Sequence, residues 1–397
     1  MGGLEASDSL TERLQTLLVA LRSRQAIHHA VAAVESEDRS LRWFGAVGDA
    51  QTDGVRMRAT TPYFIASVDK LFTATAVLKL CERGQIVMDG GMEKYLARSS
   101  IEGLHRLHGV DYTSKITIRH LLSHTSGLPD WLVDRPRHDS SMLQRIVEGG
   151  DFSMSLDELI DIVRSQLTPH FPPQPLEARR QKVRYSDTNF MLLIAIIEAV
   201  TGRQLHEVYA EFFFKPLALK HTWLAGWSKP TETTTEPAQL WVKDKPLEIP
   251  LLMRSIRAIY STVADNLSFM RALIDGTVFE NPSTFGSMQR RWNRFGVPLD
   301  LASLQLPSWP LEYGLGVMRF EDPLLRFLLH LPHKIVPIYP APVIGHTGST
   351  GSWLFYCPTL KLMLSGTVDQ ANAGALPYRL IPKILGIVHR HIEEVRY

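Results

Sequence analysis

One helix of this chain is predicted to be apolar on nearly every side. It should begin at Ser67 or Val68 and run to about Arg83, where Gly84 can end it in a left-handed conformation. Its apolar positions are not confined to one stripe: they are Val68, Leu71, Phe72, Ala76, Val77, Leu78 and Leu80. A helix without a polar face has to be covered all round. The rest of the chain must therefore enclose this segment.

The order of the other patterns predicts a sheet domain interrupted by helices. Leucines at helical spacing mark residues 10–21, and two apolar segments around an acidic turn predict a hairpin of 26–34 and 41–47. Helical patterns broken by polar, proline-bearing loops fill about 85–250. The last part mixes short strands with helices at residues 266–273, 354–356, 361–367 and 382–396.

We therefore predict a discontinuous α/β sheet domain of residues 1–84 and 255–397. A mostly helical insertion domain occupies residues 85–254, and the active site is expected between the two.

Charge and cysteine content exclude several classes of protein. The 397 residues include 43 Lys+Arg and 41 Asp+Glu, so a net charge of +2 gives no electrostatic argument for binding nucleic acid. Two cysteines, Cys81 and Cys357, cannot form a disulfide framework or a multi-thiolate zinc site. The longest purely apolar run, 190–197, is much shorter than the ~20 residues that span a bilayer. The N-terminus has early acidic residues and no basic start before an apolar block, so we expect no secretory signal and a cytoplasmic protein.

Several common catalytic motifs are absent from the sequence. It contains no G-x-S-x-G elbow, no Walker A loop, no G-x-G-x-x-G and no H-E-x-x-H. Two close histidine pairs, His28-His29 and His389/His391, lack a carboxylate at ligand spacing. We therefore predict no metal at these histidine pairs.

The S-x-x-K motif Ser67-Val68-Asp69-Lys70 lies at the start of the apolar helix. Lys70 is three residues after Ser67 and so shares its helical face. A serine hydroxyl becomes a nucleophile when a neighbour takes its proton, and a buried lysine can do so because desolvation disfavours its charged form. The alternative is an N-cap serine followed by an ordinary helix lysine.

Tyr185-Ser186-Asp187-Thr188-Asn189 follows a basic stretch that contains Arg179, Arg180, Lys182 and Arg184. Cations near a tyrosine favour loss of its proton, which would make Tyr185 a general base or proton relay. The alternative is an aromatic residue before a helix whose N-cap is Ser186 or Asp187.

A glycine-rich stretch, Ile344-Gly345-His346-Thr347-Gly348-Ser349, precedes an apolar strand. Glycines at this density indicate a strand that a ligand approaches closely, and such an edge can present an N–H to an oxyanion. The alternative is a glycine-rich hairpin turn.

In this order and spacing, the three motifs resemble those of the serine β-lactamase and penicillin-binding protein superfamily. They are most similar to its class C-like branch, which carries S-x-x-K, Tyr-x-Asn/Asp and K/H-T-G and includes esterases and D-amino-acid peptidases and amidases. Residues 121–128, 260–265 and 313–316 add framework similarity, so that the resemblance covers roughly 25–390. It implies an antiparallel sheet flanked by helices with an inserted, mostly helical domain, and it implies neither a metal nor an organic cofactor.

The resemblance also implies a role for each motif residue. Ser67 would be the acylated nucleophile, and Lys70 and Tyr185 would share proton transfer. Substrate binding would involve the backbone N–H groups of Ser67 and Ser349 as the oxyanion hole, His346 lining the pocket opposite Ser67, and the neighbouring Asp187 and Gly348. His124 is expected to belong to a structural loop.

Three departures from the family pattern bear on the substrate. Asp69 stands where Thr is commonest, and it either faces away harmlessly or holds Lys70 charged. Asp187 replaces an Asn that helps to bind the acyl amide of β-lactams, and His346 replaces a Lys whose charge attracts a substrate carboxylate. The last two changes weaken the interpretation as a β-lactamase and favour the esterases and amidases.

We therefore predict a carboxylesterase for small or moderately apolar acyl groups. The alternatives are a β-lactamase, a D-amino-acid peptidase or amidase, an acyltransferase using the same site, and a non-catalytic scaffold. The expected partner is a small-molecule ester, amide or lactam, with a homo-oligomer left open. The apolar segment 322–342 would be a lid, a wall for an acyl chain, a dimer contact or plain core.

Overall fold

A computed structural model describes residues 8–23, 26–137, 139–297, 306–308, 310–321, 341–371 and 373–396. Its helices are α1 Asp8–Arg22, α2 Asp69–Glu82, α3 Arg98–Ile101, α4 Ile118–Leu122, α5 Met142–Val147, α6 Leu156–Gln166, α7 Asp187–Thr201, α8 Leu205–Tyr209, α9 Pro250–Ser255, α10 Val263–Ile274, α11 Thr284–Met288 and α12 Leu376–Arg396. A 3₁₀ turn, Ala66–Val68, leads directly into α2.

The strands are β1 His29–Ser36, β2 Arg42–Gly48, β3 Tyr63–Phe64, β4 Arg106–Leu107, β5 Val110–Asp111, β6 Trp223–Leu224, β7 Leu240–Val242, β8 Lys245–Leu247, β9 Ile259–Ser261, β10 Asn293–Arg294, β11 Glu312–Tyr313, β12 Met318–Phe320, β13 Val343–Thr347, β14 Trp353–Cys357 and β15 Leu362–Thr367. Within the described ranges, eight of them form one antiparallel sheet in the order β10-β11-β12-β13-β14-β15-β1-β2. The predicted antiparallel sheet flanked by helices is confirmed.

The S-x-x-K helix, α2, is buried as its composition requires. Every residue from Lys70 to Leu80 is buried, and the helix packs against α7 on one side and β13 on another. It ends at Glu82, and Gly84 then adopts a positive φ of 68°. The predicted all-round burial and the glycine-assisted end are both confirmed.

The predicted hairpin is formed by β1 and β2, and alternate residues of β1 serve two cores. Val31 and Ala33 belong to the core that contains α2, whereas Ala30, Ala32 and Val34 face the core built with α1 and α12. Because side chains alternate across a strand, a strand covered on both faces is apolar throughout. All eight residues of β1 are accordingly buried.

The sheet draws its strands from both ends of the chain, and α3 to α9 lie between them in sequence. A single apolar core joins Leu71 and Phe72 of α2 to Leu193 and Ile197 of α7. The division into residues 1–84 with 255–397 and residues 85–254 remains a proposal.

The closing helix was predicted to begin at about Pro382, but the predicted start was wrong. Helix α12 begins at Leu376 and contains Pro382. Leu380 and Ile381, before the proline, are buried in the same core as Leu385 after it. This shared burial outweighs the hydrogen bond that a proline removes from a helix. Among the described residues, no helix combines the length and the apolar character that a membrane crossing needs.

Candidate active site

Ser67 lies in the middle of the 3₁₀ turn, immediately before α2. The chain reaches it from β3 through Ala66, a non-glycine residue with a positive φ of 47°. The N-cap of α2 is Val68, and no side chain caps the helix, so Ser67 is not an ordinary N-cap serine. Its hydroxyl oxygen instead accepts a hydrogen bond from Lys70 Nζ at 3.1 Å. Local backbone strain of this kind often accompanies a functional position.

Lys70 is surrounded by acidic groups. Its Nζ lies 2.6 Å from Asp187 Oδ1 and 3.7 Å from Asp69 Oδ1. Burial by itself lowers the pKa of Lys70, but the two carboxylates together raise it more, so that its pKa lies above the usual range. The expectation that burial would make Lys70 a neutral base is therefore wrong. Of the two alternatives for Asp69, the structure favours the one in which it helps to hold Lys70 charged.

Tyr185 is buried beside this group, with Lys70 Nζ 5.4 Å from its ring centre. Burial raises its pKa well above the usual range, Asp187 raises it further, and the nearby Ser67 hydroxyl partly offsets both. The preceding basic stretch does not lower the pKa, since Arg184 is directed to Asp134, 2.6 Å away. The expectation that cations would ease deprotonation of Tyr185 is therefore wrong. Its phenol holds its proton at neutral pH.

His346 was predicted to line the pocket opposite Ser67, and this was wrong. Its side chain is fully buried and lines neither of the two described cavities that reach Ser67. Its Nδ1–H donates to the Thr347 carbonyl at 2.7 Å, and its Nε2 accepts from the Tyr313 hydroxyl at 3.0 Å. Burial lowers the pKa of His346 to about 3, with a further contribution from Lys70. The ring is therefore neutral and supplies no charge for a substrate carboxylate.

His124 connects the 121–128 loop to the start of α7. It has a positive φ of 55°, and its Nδ1 accepts hydrogen bonds from the Ser186 backbone N–H at 3.2 Å and the Asn189 side-chain amide at 3.0 Å. Its ring lies 4.4 Å from that of Tyr185. These contacts place His124 where it holds the Tyr185 segment in position.

The Asp130 carboxylate is hydrogen-bonded to the backbone of Asp187, a contact that the sequence did not predict. The Asp187 backbone N–H donates to Asp130 Oδ2 at 2.7 Å, and Oδ1 of the same carboxylate accepts from the N–H groups of Leu132 and Val133. Asp130 is fully buried, and burial together with the charges of Asp187 and Asp134 raises its pKa. Asp130 and Asp187 are 57 positions apart in the sequence, and no local pattern could have linked them.

The glycine-rich turn after β13 closes on the Ser67 segment. The Ser352 hydroxyl donates to the Ile65 carbonyl at 2.7 Å. A Cβ on Gly348 would lie only 2.6 Å from the Ala66 side chain, so glycine is needed for the close approach. Ser349, the next residue, lines both cavities together with Ser67.

Two cavities diverge from Ser67. The first encloses about 130 Å³ and is mostly apolar away from Ser67, with Trp131, Leu143, Ile146, Ile194, Leu252 and Met253 among its walls. The second encloses about 580 Å³ and is bordered by Tyr185, Met318 and Tyr378. The segment 322–342, for which a lid or wall was predicted, falls outside the described residues except for 341 and 342.

The two histidine pairs lie away from this site. His28 stacks on Trp241, and His29 Nε2 lies 2.9 Å from Asp369. In the part of the chain that the structure describes, no three His, Cys, Asp or Glu side chains come together as a metal site.

A family model and several curated proteins match this chain. A family model described as Beta-lactamase matches residues 14–375. Penicillin-binding protein 4* of Bacillus subtilis is 27% identical over 216 residues, which cover 53% of this chain and 41% of that protein. The chain spans only 29% to 41% of the length of the first curated relatives that it matches.

Solved structures share the fold across almost the whole chain. A D-stereospecific amidohydrolase from Streptomyces sp. is 22% identical with a TM-score of 0.65, covering 96% of this chain and 99% of that one. EstCE1, a hydrolase with promiscuous acyltransferase activity, is 20% identical with a TM-score of 0.68, covering 96% and 98%. At these identities the likeness establishes a common fold.

Proposed function

Since this chain belongs to the Beta-lactamase family, we propose that it is a serine hydrolase that cleaves carboxylic esters through an acyl-enzyme on Ser67. The Ser67 oxygen attacks the ester carbonyl carbon, and the alcohol leaves with a proton. Water then attacks the acyl-Ser67 bond, releasing the carboxylic acid and restoring the hydroxyl. Lys70 and Tyr185 lie where they can move these protons.

The apolar cavity at Ser67 is the observation that carries this proposal. Ligand sites are typically concave and apolar, with a few polar groups that fix orientation. Here the polar groups lie at the Ser67 end, and aliphatic and aromatic walls extend away from them. A cavity of 150 Å³ with such walls admits benzene, so that about 130 Å³ suits a small or moderately apolar acyl group. The second cavity would receive the alcohol, or an acceptor in acyl transfer.

Amide hydrolysis is the second candidate, and the charges of the site favour it. Asp69 and Asp187 together outnumber Lys70 by one negative charge beside Ser67. That excess suits a substrate with an ammonium group, such as an amino-acid amide, and the Streptomyces neighbour is described as an amidohydrolase. The same excess would repel the carboxylate of a β-lactam. Among the described residues that line the two cavities, Lys70 is the one cation, and it is already paired with Asp187 and Asp69. A non-catalytic scaffold would not require Ser67, Lys70 and Tyr185 to lie close together.

Acyl-enzyme formation tests the proposal. The protein is incubated separately with p-nitrophenyl butyrate, nitrocefin and a D-alanyl amide, and intact masses are recorded. We expect a burst and an adduct with the ester, both lost in Ser67→Ala and retained in the exposed Ser268→Ala. No adduct with any acyl donor or with a fluorophosphonate would contradict serine hydrolase chemistry. Turnover of nitrocefin well above that of the ester would replace the esterase by a β-lactamase.

A cytoplasmic location and a homo-oligomer remain proposals. The first rests on two cysteines that are unpaired in the structure. Size-exclusion chromatography with light scattering would test the second.

A further inference from the structure

Lys70 has no free lone pair to accept the proton that Ser67 must release. Its ammonium group already donates to Ser67 Oγ and touches two carboxylates, Asp187 at 2.6 Å and Asp69 at 3.7 Å. An ammonium group has three donors and no acceptor. The phenol of Tyr185 is protonated as well. The proton therefore needs a destination beyond the two residues that the family pattern assigns to proton transfer.

We propose that Asp187 is the terminal acceptor of the Ser67 proton, which reaches it through Lys70. The inference rests on the proposed acyl-enzyme function. Lys70 first passes a proton from Nζ to Asp187 Oδ1. The neutral amine then turns its lone pair toward Ser67 and takes the hydroxyl proton as Ser67 Oγ bonds to the carbonyl carbon. Lys70 ends as it began, an ammonium, and Asp187 is left as a neutral acid. The proton returns by the same path to the departing alkoxide, so that no co-reactant is consumed.

The contacts select Asp187 over Asp69 as the acceptor. Proton transfer needs a heavy-atom distance of about 2.6–3.2 Å, which Asp187 Oδ1 meets at 2.6 Å and Asp69 Oδ1 exceeds at 3.7 Å. Asp187 is also held in place, because its backbone N–H donates to Asp130 Oδ2 at 2.7 Å. Asp69 Oδ1 is buried and forms no hydrogen bond within the described residues.

The groups that face Asp187 and Lys70 come from every surrounding element. Asp69 lies on α2, Tyr185 precedes α7, Tyr313 ends β11, and His346 lies on β13. Asp130 and His124 both come from the loop between α4 and α5. Both histidines are neutral because burial lowers their pKa, and both tyrosines stay protonated. At neutral pH the charge of the site is thus set by Lys70 and the carboxylates.

The pH dependence of kcat/KM with p-nitrophenyl butyrate, from about pH 5 to about pH 10, tests the relay. In the wild type we expect an acid limb in the carboxylate range, below about pH 7. In Asp187→Asn, Lys70 can accept the Ser67 proton only after it has lost its own proton to solvent. The acid limb of kcat/KM should therefore shift to higher pH by about one unit or more. If the amide leaves no acceptor at all, turnover is lost while the melting temperature is kept. Asp187→Glu should restore a limb close to that of the wild type.

Asp69→Asn is the matched control. Removing that neighbouring negative charge stabilises the remaining carboxylate, so the acid limb should stay or move slightly down. An unchanged limb in Asp187→Asn, or an upward shift only in Asp69→Asn, would overturn the relay. Either result would still be obtained on an enzyme that forms its Ser67 adduct. Failure of the proposed function would appear separately, as a wild type without any adduct.

Discussion

Replacing Gly348 by alanine should slow acylation without unfolding the protein. A Cβ at this position would meet Ser352 Oγ first, and it would lie 2.6 Å from Ala66 Cβ and 3.0 Å from the Ile65 carbonyl oxygen. Carbon atoms in ordinary contact are about 3.5–4.0 Å apart, so the turn that carries Ser349 has to retreat by roughly 1 Å. The Ser349 N–H, our proposed oxyanion donor, would move away from the carbonyl carbon that Ser67 attacks.

A misplacement of about 1 Å can cost about 100-fold in rate, or roughly 2.7 kcal/mol of activation free energy. Because an oxyanion hole acts in the transition state, we expect the loss in kcat, with KM changed by less than about threefold. The assay is p-nitrophenyl butyrate hydrolysis, together with the rate of fluorophosphonate labelling of Ser67. Both rates should fall in parallel.

Gly286→Ala is the control for this substitution. Its Cβ would meet no atom within 4 Å, and Gly286 lies inside α11 without a positive φ. We expect its kcat to stay within about twofold of the wild-type value. The reasoning would be refuted if Gly348→Ala had a near-native melting temperature and also kept kcat within about threefold.

Three further predictions concern the acyl cavity and its charges. Leu252→Phe narrows the cavity and should lower the ratio of kcat/KM for p-nitrophenyl hexanoate to kcat/KM for p-nitrophenyl acetate by about tenfold. The side chain of Leu251 is 50% exposed, and Leu251→Phe should leave this ratio unchanged. The p-nitrophenyl monoester of adipate should react about 100-fold more slowly than the hexanoate, because its carboxylate would enter an apolar cavity; equal rates would argue against this cavity as the acyl site. Burial raises the pKa of Asp69 from 3.8 to about 6, so the native state binds its proton more tightly than the unfolded state and loses stability as pH rises from about 4 to 6. The free energy of unfolding of Asp69→Asn and of the wild type is measured in urea at both ends of this range, and the variant should gain up to about 3 kcal/mol over the wild type at the higher pH. A stability difference between the two proteins that stays constant with pH would contradict the raised pKa.

Much of the fold could be predicted because it rests on local patterns. The all-round apolar character of α2, the paired apolar segments of β1 and β2, and the glycine after α2 each leave a signal within a few residues. The start of α12 could not be found this way. There, burial of residues on both sides of Pro382 outweighs the local tendency of a proline to begin a helix.

The candidate site divides in the same way. Motif spacing was enough to single out Ser67, Lys70 and Tyr185, and the structure brings Lys70 into contact with Ser67 and close to the ring of Tyr185. The protonation states expected of Lys70 and Tyr185 were wrong. The contact of Asp187 with Lys70 joins positions far apart in the chain, and so does its contact with Asp130.

Residue types, helical and strand periodicity and motif order were therefore sufficient to indicate a serine-centred site in an α/β fold. Which groups carry a proton at that site depended on folding. Coulomb interactions and desolvation act through space over a few ångströms, and sequence distance does not report such proximity. The 2.6 Å contact between Lys70 and Asp187 keeps the lysine charged, and the burial of His346 keeps its ring neutral.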